Sequence, residues 1–133
     1  MSSAILETAL YVDDLEVAER FYSEILGFEV ITRDKDRHVF FKLYGSVLLI
    51  FNPEATKVPA SAGIDVPVHG ATGQGHACFT ATDEELDMWK QKLEAQGVEI
   101  EREIEWFDGV RSIYFRDPSG NSLEFAQPKL WGF

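Results

Sequence analysis

Three side chains of the kinds that bind metal ions occupy predicted strands that are far apart in the sequence. Glu7 begins one alternating segment, His76 begins another, and Glu124 lies between two apolar residues of a third. Successive side chains of a strand point to opposite faces, so each of the three belongs to one defined face. Carboxylate oxygens and imidazole nitrogens suit several divalent transition metals. The sequence therefore offers three possible ligands on three inward strand faces.

The residues that share a face with these three possible ligands are small. Two positions further along the three strands stand Ala9, Cys78 and Ala126. Small neighbours leave room for a bound molecule, and strands covered by helices on one side only are expected to curl into a cleft. Glu124 carries the strongest case for ligation, because an unpaired carboxylate in a buried strand is costly.

The elements that position these residues are predicted to occur twice. Each half reads as a strand, an acidic turn, an amphipathic helix, a glycine and three further strands. Module one covers about 4–53 and module two about 75–128, with a crossover rich in Pro, Ala and Gly over 54–74. The aromatic tail 129–133 is expected to pack against the protein rather than to act as a pocket lid. We therefore predict one α+β domain over 1–133, built from two βαβββ modules.

Helix boundaries are marked in both halves. Asp13 and Asp14 offer side-chain oxygens to the free amides of the first helix, and 82–85 has the spacing of a capping box before the second. Gly27 and Gly97 follow the two helices at the position where a left-handed backbone commonly ends a helix.

Composition excludes several classes of protein. The chain has 133 residues, 45% of them hydrophobic, which is enough for one core. No apolar run approaches the roughly 20 residues of a membrane helix, and the first residues do not form a signal peptide. A net charge of −11 disfavours nucleic acid and anionic lipid as partners. The only cysteine is Cys78, which is compatible with a reducing compartment, so we expect a cytoplasmic protein.

Motifs in both halves carry a family resemblance. Segments 7–15, 18–22 and 26–28, followed by 75–76 and 112–125, resemble the two modules of the vicinal oxygen chelate superfamily. This superfamily includes glyoxalase I, extradiol dioxygenases, fosfomycin-resistance enzymes, methylmalonyl-CoA epimerases and metal-free bleomycin-resistance proteins. The resemblance implies the glyoxalase/bleomycin-resistance/dioxygenase fold, in which two βαβββ modules form a curled mixed sheet around a cleft. Fold alone does not choose the reaction.

The resemblance also implies a metal site and roles for its residues. The ligands would be Glu7, His76 and Glu124, and the metal Zn, Ni, Co, Mn or Fe, with coordination positions left for water or substrate. A fourth ligand position, which carries Glu in glyoxalases, falls on the apolar strand 47–51. Glu124 or Glu7 would move a proton. Tyr114 matches a tyrosine that donates a hydrogen bond to metal-bound substrate.

Further residues are candidates for contacts with substrate. Trp106 and Phe51 are expected to form walls of the cleft, together with Phe40 and Trp131, and Arg111 is a candidate contact for an anionic substrate. Arg111 and His69 also have a simpler interpretation as loop residues on the solvent side, from where either could reach an anionic substrate. Cys78 is expected to be a small core residue rather than a ligand or nucleophile.

The residue types at positions 7 and 9 rank the possible functions. Dioxygenases have His where this chain has Glu7, and fosfomycin transferases have Thr where it has Ala9. We therefore expect a divalent-metal-dependent enzyme of the glyoxalase type, a lyase or isomerase that chelates adjacent oxygens of a small substrate and transfers a proton. The alternatives are a ring-cleaving dioxygenase or fosfomycin-type thiol transferase, and a metal-free binding protein of the bleomycin-resistance kind. A homodimer, with or without exchange of modules, is also expected.

Overall fold

The structure is a computed structural model that describes residues 2–59 and 66–133. The chain divides into two compact units, Met1–Gln74 and Gly75–Phe133, and each is described by itself. Part of the predicted crossover, residues 60–65, lies outside the described residues. None of the helices in the described ranges is both long enough and apolar enough to span a membrane.

Unit 1 is a four-stranded mixed sheet with one main helix. Its elements are β1 (Glu7–Tyr11), α1 (Leu15–Arg20, continued by a π-helical turn at Phe21–Ile25), β2 (Glu29–Asp34), β3 (His38–Leu43), β4 (Ser46–Phe51) and the short α2 (Pro53–Thr56). The strand order is β1-β4-β3-β2, with β1 parallel to β4 and the other pairs antiparallel. This is the predicted βαβββ module.

The two faces of this sheet differ in polarity as alternation predicts. Leu10, Val39, Phe41, Leu48 and Ile50 are buried on one face and form the core with the helix. The opposite face carries Glu7, Ala9, His38, Phe40 and Leu49. The side of β1 that holds Glu7 is therefore the open side of the sheet.

The helix of unit 1 begins and ends where its sequence signals lie. The Asp14 carboxylate accepts hydrogen bonds from the amides of Glu16 and Val17, both at 3.1 Å. Gly27 follows the helix with φ of +75°, which favours glycine. The last turn differs from the regular α-helix expected, because the Leu26 amide bonds to the Phe21 carbonyl five residues back at 3.1 Å.

Unit 2 repeats the arrangement. Its elements are β5 (His76–Thr80), α3 (Asp83–Ala95), β6 (Arg102–Phe107), β7 (Val110–Arg116), β8 (Ser122–Ala126) and a 3-10 turn (Pro128–Trp131). The strand order β5-β8-β7-β6 matches that of unit 1, with β5 parallel to β8. The predicted capping box is formed by Thr82 and Glu85, and Gly97 has φ of +78°. The prediction of two βαβββ modules is confirmed.

A buried loop ties the start of β5 to the start of β8. The Asp117 carboxylate accepts hydrogen bonds from the Ser119 and Asn121 amides and from the Asn121 side chain, at 2.9–3.0 Å. Asn121, only 1% exposed, accepts the Gly75 amide at 2.7 Å, and the Ser122 amide bonds to the Gly75 carbonyl at 2.9 Å. These bonds set the register between β5 and β8. They therefore also fix the position of His76, the residue after Gly75.

The tail differs from the sequence prediction. Trp131 is 77% exposed and Phe133 is 90% exposed, so these aromatic side chains are not packed as expected. The short 3-10 turn ends at Gly132 with φ of +81°, which directs the last residue away from a continuing helix.

Candidate functional site

The parallel pairing of β5 and β8 brings two of the three predicted ligands together. His76 Nε2 lies 3.4 Å from Glu124 Oε1. His76 Nδ1 lies 2.9 Å from the Ser122 carbonyl oxygen, which only accepts hydrogen bonds, so Nδ1 carries the proton in this bond. In the neutral ring the lone pair of Nε2 then faces the Glu124 carboxylate. A backbone carbonyl that fixes the second nitrogen of a ligating histidine is the usual arrangement around a protein-bound metal.

Glu124 has an unused oxygen. The residue is 5% exposed, and its Oε2 is buried without a hydrogen-bond partner in the part of the chain that is described. An unpaired buried acceptor costs free energy, about 1–3 kcal/mol and more for a charged group. A carboxylate kept in this position needs a cation or a donor from outside the described residues.

The spacing of the pair fits a shared ion. Two ligands of a tetrahedral ion at about 2.1 Å lie about 3.4 Å apart, the separation found between His76 Nε2 and Glu124 Oε1. One nitrogen and one carboxylate oxygen suit Zn, Co, Ni, Mn and Fe. No group of three His, Cys, Asp or Glu side chains within residues 2–59 and 66–133 is arranged to hold a metal. The pair therefore provides two donors, and the third predicted ligand, Glu7, belongs to the other unit.

Tyr114 stands beside the pair on the same face. It is opposite Glu124 in the antiparallel register of β7 and β8, and its ring stacks on that of His76 with 6.4 Å between centroids. Burial, followed by the negative charge of Glu124, raises the pKa of Tyr114, while a hydrogen bond with Ser112 acts in the opposite direction. Tyr114 is therefore a protonated donor at neutral pH.

Cys78 lies directly opposite Glu124 in the parallel register of β5 and β8. Partial burial, then the charge of Glu124 and a hydrogen bond with it, raises the pKa of the Cys78 thiol to about 12. The residue is exposed to solvent, which differs from the core position expected from the sequence. As a thiol it is a poor nucleophile at neutral pH, in line with the prediction that it does not act as one.

Trp106 shares this face. Its indole Nε1 donates to the Ser112 hydroxyl at 2.9 Å, and the side chain remains 44% exposed. Ser112 and Tyr114 are two residues apart on β7 and so point the same way. Trp106 is placed where a wall for a molecule bound at Tyr114 would be needed.

Arg111 lies on the other face of β7 and is a correction to the sequence interpretation. It alternates with Ser112, and its guanidinium contacts Asp83 and Asp87 of α3 at 3.0 Å and Glu103 at 2.9 Å. Three carboxylates contact its donors, and the predicted contact of Arg111 with substrate stays a prediction. Its simpler interpretation as a solvent-side loop residue is wrong, because it lies in a strand and only 18% of its side chain is exposed.

Glu7 begins β1 in unit 1, exposed on the open face. It is opposite Val47, as His76 is opposite Ser122 in unit 2. The residue that corresponds to Glu124 is Leu49, which confirms that the fourth strand offers no carboxylate. Glu7 is therefore the one predicted ligand that unit 1 presents on this face of β1 and β4.

A cleft of about 760 Å³ covers this open face of unit 1. That volume lies within the range of small-molecule sites. Its lining consists of Glu7, Ala9, Tyr11, Asp34, Arg37, His38, Phe40, Leu49, Phe51 and residues 66–69. Phe51 and Phe40, both predicted as walls, line the cleft.

Two histidines line the cleft: His38, which was not predicted as a site residue, and His69, which was predicted as a solvent-side loop residue within reach of an anionic substrate. His69 Nδ1 is hydrogen-bonded to the Tyr11 hydroxyl at 2.6 Å, and its ring lies 4.7 Å from that of Phe51. His38 stacks on Phe40 with 4.1 Å between centroids. Burial, followed by the charge of Arg37 and opposed by Asp34, lowers the pKa of His38. The alternation of His38 with Phe40 in β3 was the signal that could have identified His38.

Comparisons with known proteins agree with this architecture. The family model of the Glyoxalase/Bleomycin resistance protein/Dioxygenase superfamily matches residues 4–125. A solved structure titled as lactoylglutathione lyase from Agrobacterium tumefaciens is 45% identical, with a TM-score of 0.93, and the match covers 100% of this chain and 99% of that one.

Two curated relatives are more distant. Virulence protein STM3117 of Salmonella typhimurium is 27% identical over 89% of this chain and 79% of its own length. Metallothiol transferase FosB of Bacillus licheniformis is 29% identical over 85% of this chain and 68% of its own length. With the family model spanning nearly all of both modules, the chain belongs to the Glyoxalase/Bleomycin resistance protein/Dioxygenase superfamily.

Proposed function

We propose that this chain is a divalent-metal-dependent enzyme of the glyoxalase type, with His76, Glu124 and Glu7 as metal ligands. The observation that carries the proposal is the pair in unit 2. His76 Nε2 and Glu124 Oε1 lie 3.4 Å apart, with the imidazole oriented by a backbone carbonyl and Glu124 Oε2 buried without a partner. Such a pair is costly without a cation and favourable with one.

The remaining residues have separate tasks in this proposal. When bound, a divalent cation supplies Lewis acidity that stabilises negative charge on adjacent oxygens of a substrate. Tyr114, kept protonated by its surroundings, donates a hydrogen bond to one of those oxygens. Glu124 Oε2, which has no hydrogen-bond partner among the described residues, accepts a proton from one substrate carbon and then donates it to another. Trp106 excludes water from one side of the bound substrate.

The relatives support this reaction type more than the alternatives. The structure titled lactoylglutathione lyase shares 45% of its residues with this chain over its whole length. We therefore propose a hemithioacetal, the adduct of a thiol and a 2-oxoaldehyde, as the first substrate class to test. We further propose that the enzyme acts in the cytoplasm as a homodimer, in which Glu7 reaches the metal from the same or the second copy.

Metal binding is the decisive test. Protein purified without chelators is assayed for metal content, then stripped and titrated with Zn²⁺, Co²⁺, Ni²⁺ and Mn²⁺ by calorimetry. One ion per chain is expected, with at least tenfold weaker binding in Glu124→Gln, His76→Ala and Glu7→Gln. Glu99→Gln, at an exposed glutamate of unit 2 away from the pair, is the matched control. No uptake of any of these ions by the wild type would refute the proposal.

An activity assay distinguishes the metal ligands from Tyr114, the proposed hydrogen-bond donor. The metal-loaded protein is expected to isomerise the hemithioacetal of methylglyoxal and glutathione. Tyr114→Phe should lower kcat/KM by about tenfold or more while metal affinity stays unchanged, since the lost hydrogen bond forms only with substrate. If Tyr114→Phe retained full activity, the role given to Tyr114 would be wrong.

Thiol transfer is the second candidate, and one relative favours it. Metallothiol transferase FosB matches 85% of this chain at 29% identity. Incubation of metal-loaded protein with fosfomycin and glutathione or cysteine tests this candidate directly. Turnover of fosfomycin without isomerisation of the hemithioacetal would replace the leading proposal.

A metal-free binding protein is the third candidate. The observation in its favour is that the described residues contain no group of three side chains placed to hold a metal. Absence of metal uptake, together with binding of an aromatic compound in the unit 1 cleft, would select it.

A further inference from the structure

We propose that the cleft of unit 1 is a binding site for an aromatic carboxylate, with the ring held between Phe40, Phe51 and His69 and the carboxylate paired with Arg37. This deepens the proposed function, since Glu7, a proposed metal ligand, lines the same cleft. It adds a ligand class for this cleft, an aromatic acid whose second polar end lies near Glu7.

The walls of the cleft are aromatic. The rings of Phe40 and Phe51 meet edge to face at 5.3 Å, His38 stacks on Phe40 at 4.1 Å, and His69 meets Phe51 edge to face at 4.7 Å. Edge-to-face and offset stacking are the preferred contacts between aromatic rings. A planar ring entering this space gains such contacts on several sides, whereas a flexible aliphatic chain does not.

The floor of the cleft carries no polar group at the centre. Ala9 and Leu49 are opposite one another in the register of β1 and β4. In unit 2 the same two register positions hold Cys78 and Glu124. The floor of the unit 1 cleft at these two positions is therefore apolar and offers no hydrogen-bond donor or acceptor. The polar groups of a ligand must lie at the ends of the cleft.

One end of the cleft supplies a cation. Arg37 is half-buried, with its guanidinium carbon 5.4 Å from the centroid of Phe51, and one of its nitrogens donates to His38 Nδ1 at 3.3 Å. None of the ion pairs among the described residues involves Arg37. Asp34 lines the same end of the cleft but forms no ion pair with Arg37 among the described residues, so the guanidinium can pair with an anionic ligand. Guanidinium pairs with carboxylate through two parallel hydrogen bonds.

The two charged ends are separated along the strands. Arg37 precedes His38, which pairs with Phe51 at one end of β4, while Glu7 pairs with Val47 at the other end. Four residues of strand correspond to about 13 Å. The length suits an aromatic acid that has its carboxylate at Arg37 and its second polar end near Glu7.

Residues 66–69 of the crossover line one side of the cleft. The Tyr11 hydroxyl is bonded to His69 Nδ1 at 2.6 Å, and the His69 amide donates to the Thr56 carbonyl at 3.0 Å. These two bonds hold residues 66–69, which include the apolar Val66, Pro67 and Val68, over the aromatic walls. The ring of a ligand would therefore meet apolar side chains on this side.

The test uses 2-naphthoate as the probe and the full chain, both as purified and after removal of metal with EDTA. Calorimetry is expected to give one site per chain in both preparations, with at least tenfold weaker binding of 2-naphthamide, which lacks the charge. Arg37→Gln should weaken naphthoate binding at least tenfold, and Arg37→Lys should restore part of it. Amide NMR shifts should concentrate at residues 37–40, 49–51 and 66–69.

The control separates this inference from the proposed function. Glu124→Gln should lose metal affinity and keep naphthoate affinity, because Glu124 is not part of the cleft. Naphthoate binding with no metal uptake would support the inference and refute the proposed function. No naphthoate binding at millimolar concentration, equal binding of the amide, or binding lost on treatment with EDTA would overturn the inference.

Discussion

Leu49 and Glu124 occupy the same register position in two copies of one sheet. Each faces a small residue on the neighbouring parallel strand, Ala9 for Leu49 and Cys78 for Glu124. One unit thus has a carboxylate beside its histidine, and the other has an apolar floor beneath an aromatic cleft. The two units therefore differ in polarity at the same register position.

Glu124→Gln should stabilise the metal-free protein while it removes metal binding. The charge of Glu124 is buried with one oxygen unpaired, and an amide can donate to His76 Nε2 instead. We expect the free energy of unfolding of the stripped protein to rise by about 1 kcal/mol. Thermal denaturation with and without Zn²⁺ measures both effects, and Glu99→Gln should change neither. A stripped Glu124→Gln protein less stable than wild type would show that the carboxylate is satisfied without metal.

Cys78 should react slowly with alkylating reagents in the metal-free protein. Its pKa is raised to about 12, so only a small fraction is thiolate at pH 8. Allowing for the greater nucleophilicity of a more basic thiolate, we expect alkylation by iodoacetamide about a hundredfold slower than for free cysteine. Because Cys78 is the only cysteine, mass spectrometry follows the reaction without ambiguity. In Glu124→Gln the rate should increase, since one cause of the shift is removed.

His38 should make the protein less stable in mild acid. Its pKa is lowered in the folded state, so the unfolded chain binds the proton first as pH falls. The stability that His38 contributes as a neutral ring is complete above its unfolded pKa of about 6.5 and is lost as pH falls through that value towards the lower folded pKa. His38→Gln should flatten the dependence of urea unfolding on pH between about 7 and 5. Tyr44→Gln, at an exposed turn residue, is the control and should keep the wild-type slope.

Arg111→Gln should lower the free energy of unfolding and leave the binding of substrate and naphthoate unchanged. The guanidinium neutralises Asp83, Asp87 and Glu103, and its loss leaves three carboxylates close together. Because these acids are partly exposed, water and salt screen the repulsion, and we expect a loss of about 1 kcal/mol that shrinks at high salt. kcat/KM and naphthoate affinity should stay unchanged. A specific rise in KM would instead support the predicted contact of Arg111 with substrate.

The fold was largely predictable because its signals are local. The capping box at Thr82 and Glu85, the glycines after both helices and the alternation along β1, β4, β5 and β8 all depend on neighbours in sequence. The strand faces that Glu7, His76 and Glu124 occupy follow from the same alternation.

What could not be predicted depends on distant contacts. The bond between Tyr11 and His69 joins residues 58 apart, and the crossover that carries His69 has no periodic pattern. The ion pairs of Arg111 could not be predicted for another reason. Its alternation with Ser112 already placed it on the helix side, but three acids distant in sequence had to converge before its charge was accounted for.

The Asn121 side chain, which accepts the Gly75 amide, has a consequence for how such enzymes diversify. Because the loop at 117–121 aligns the two parallel strands through the Asp117 and Asn121 side chains and the backbone of Gly75 and Ser122, these bonds do not involve the side chains of residues 76 and 124. Natural or engineered exchange of either side chain can therefore change the chemistry offered to a substrate while the underlying scaffold keeps its shape.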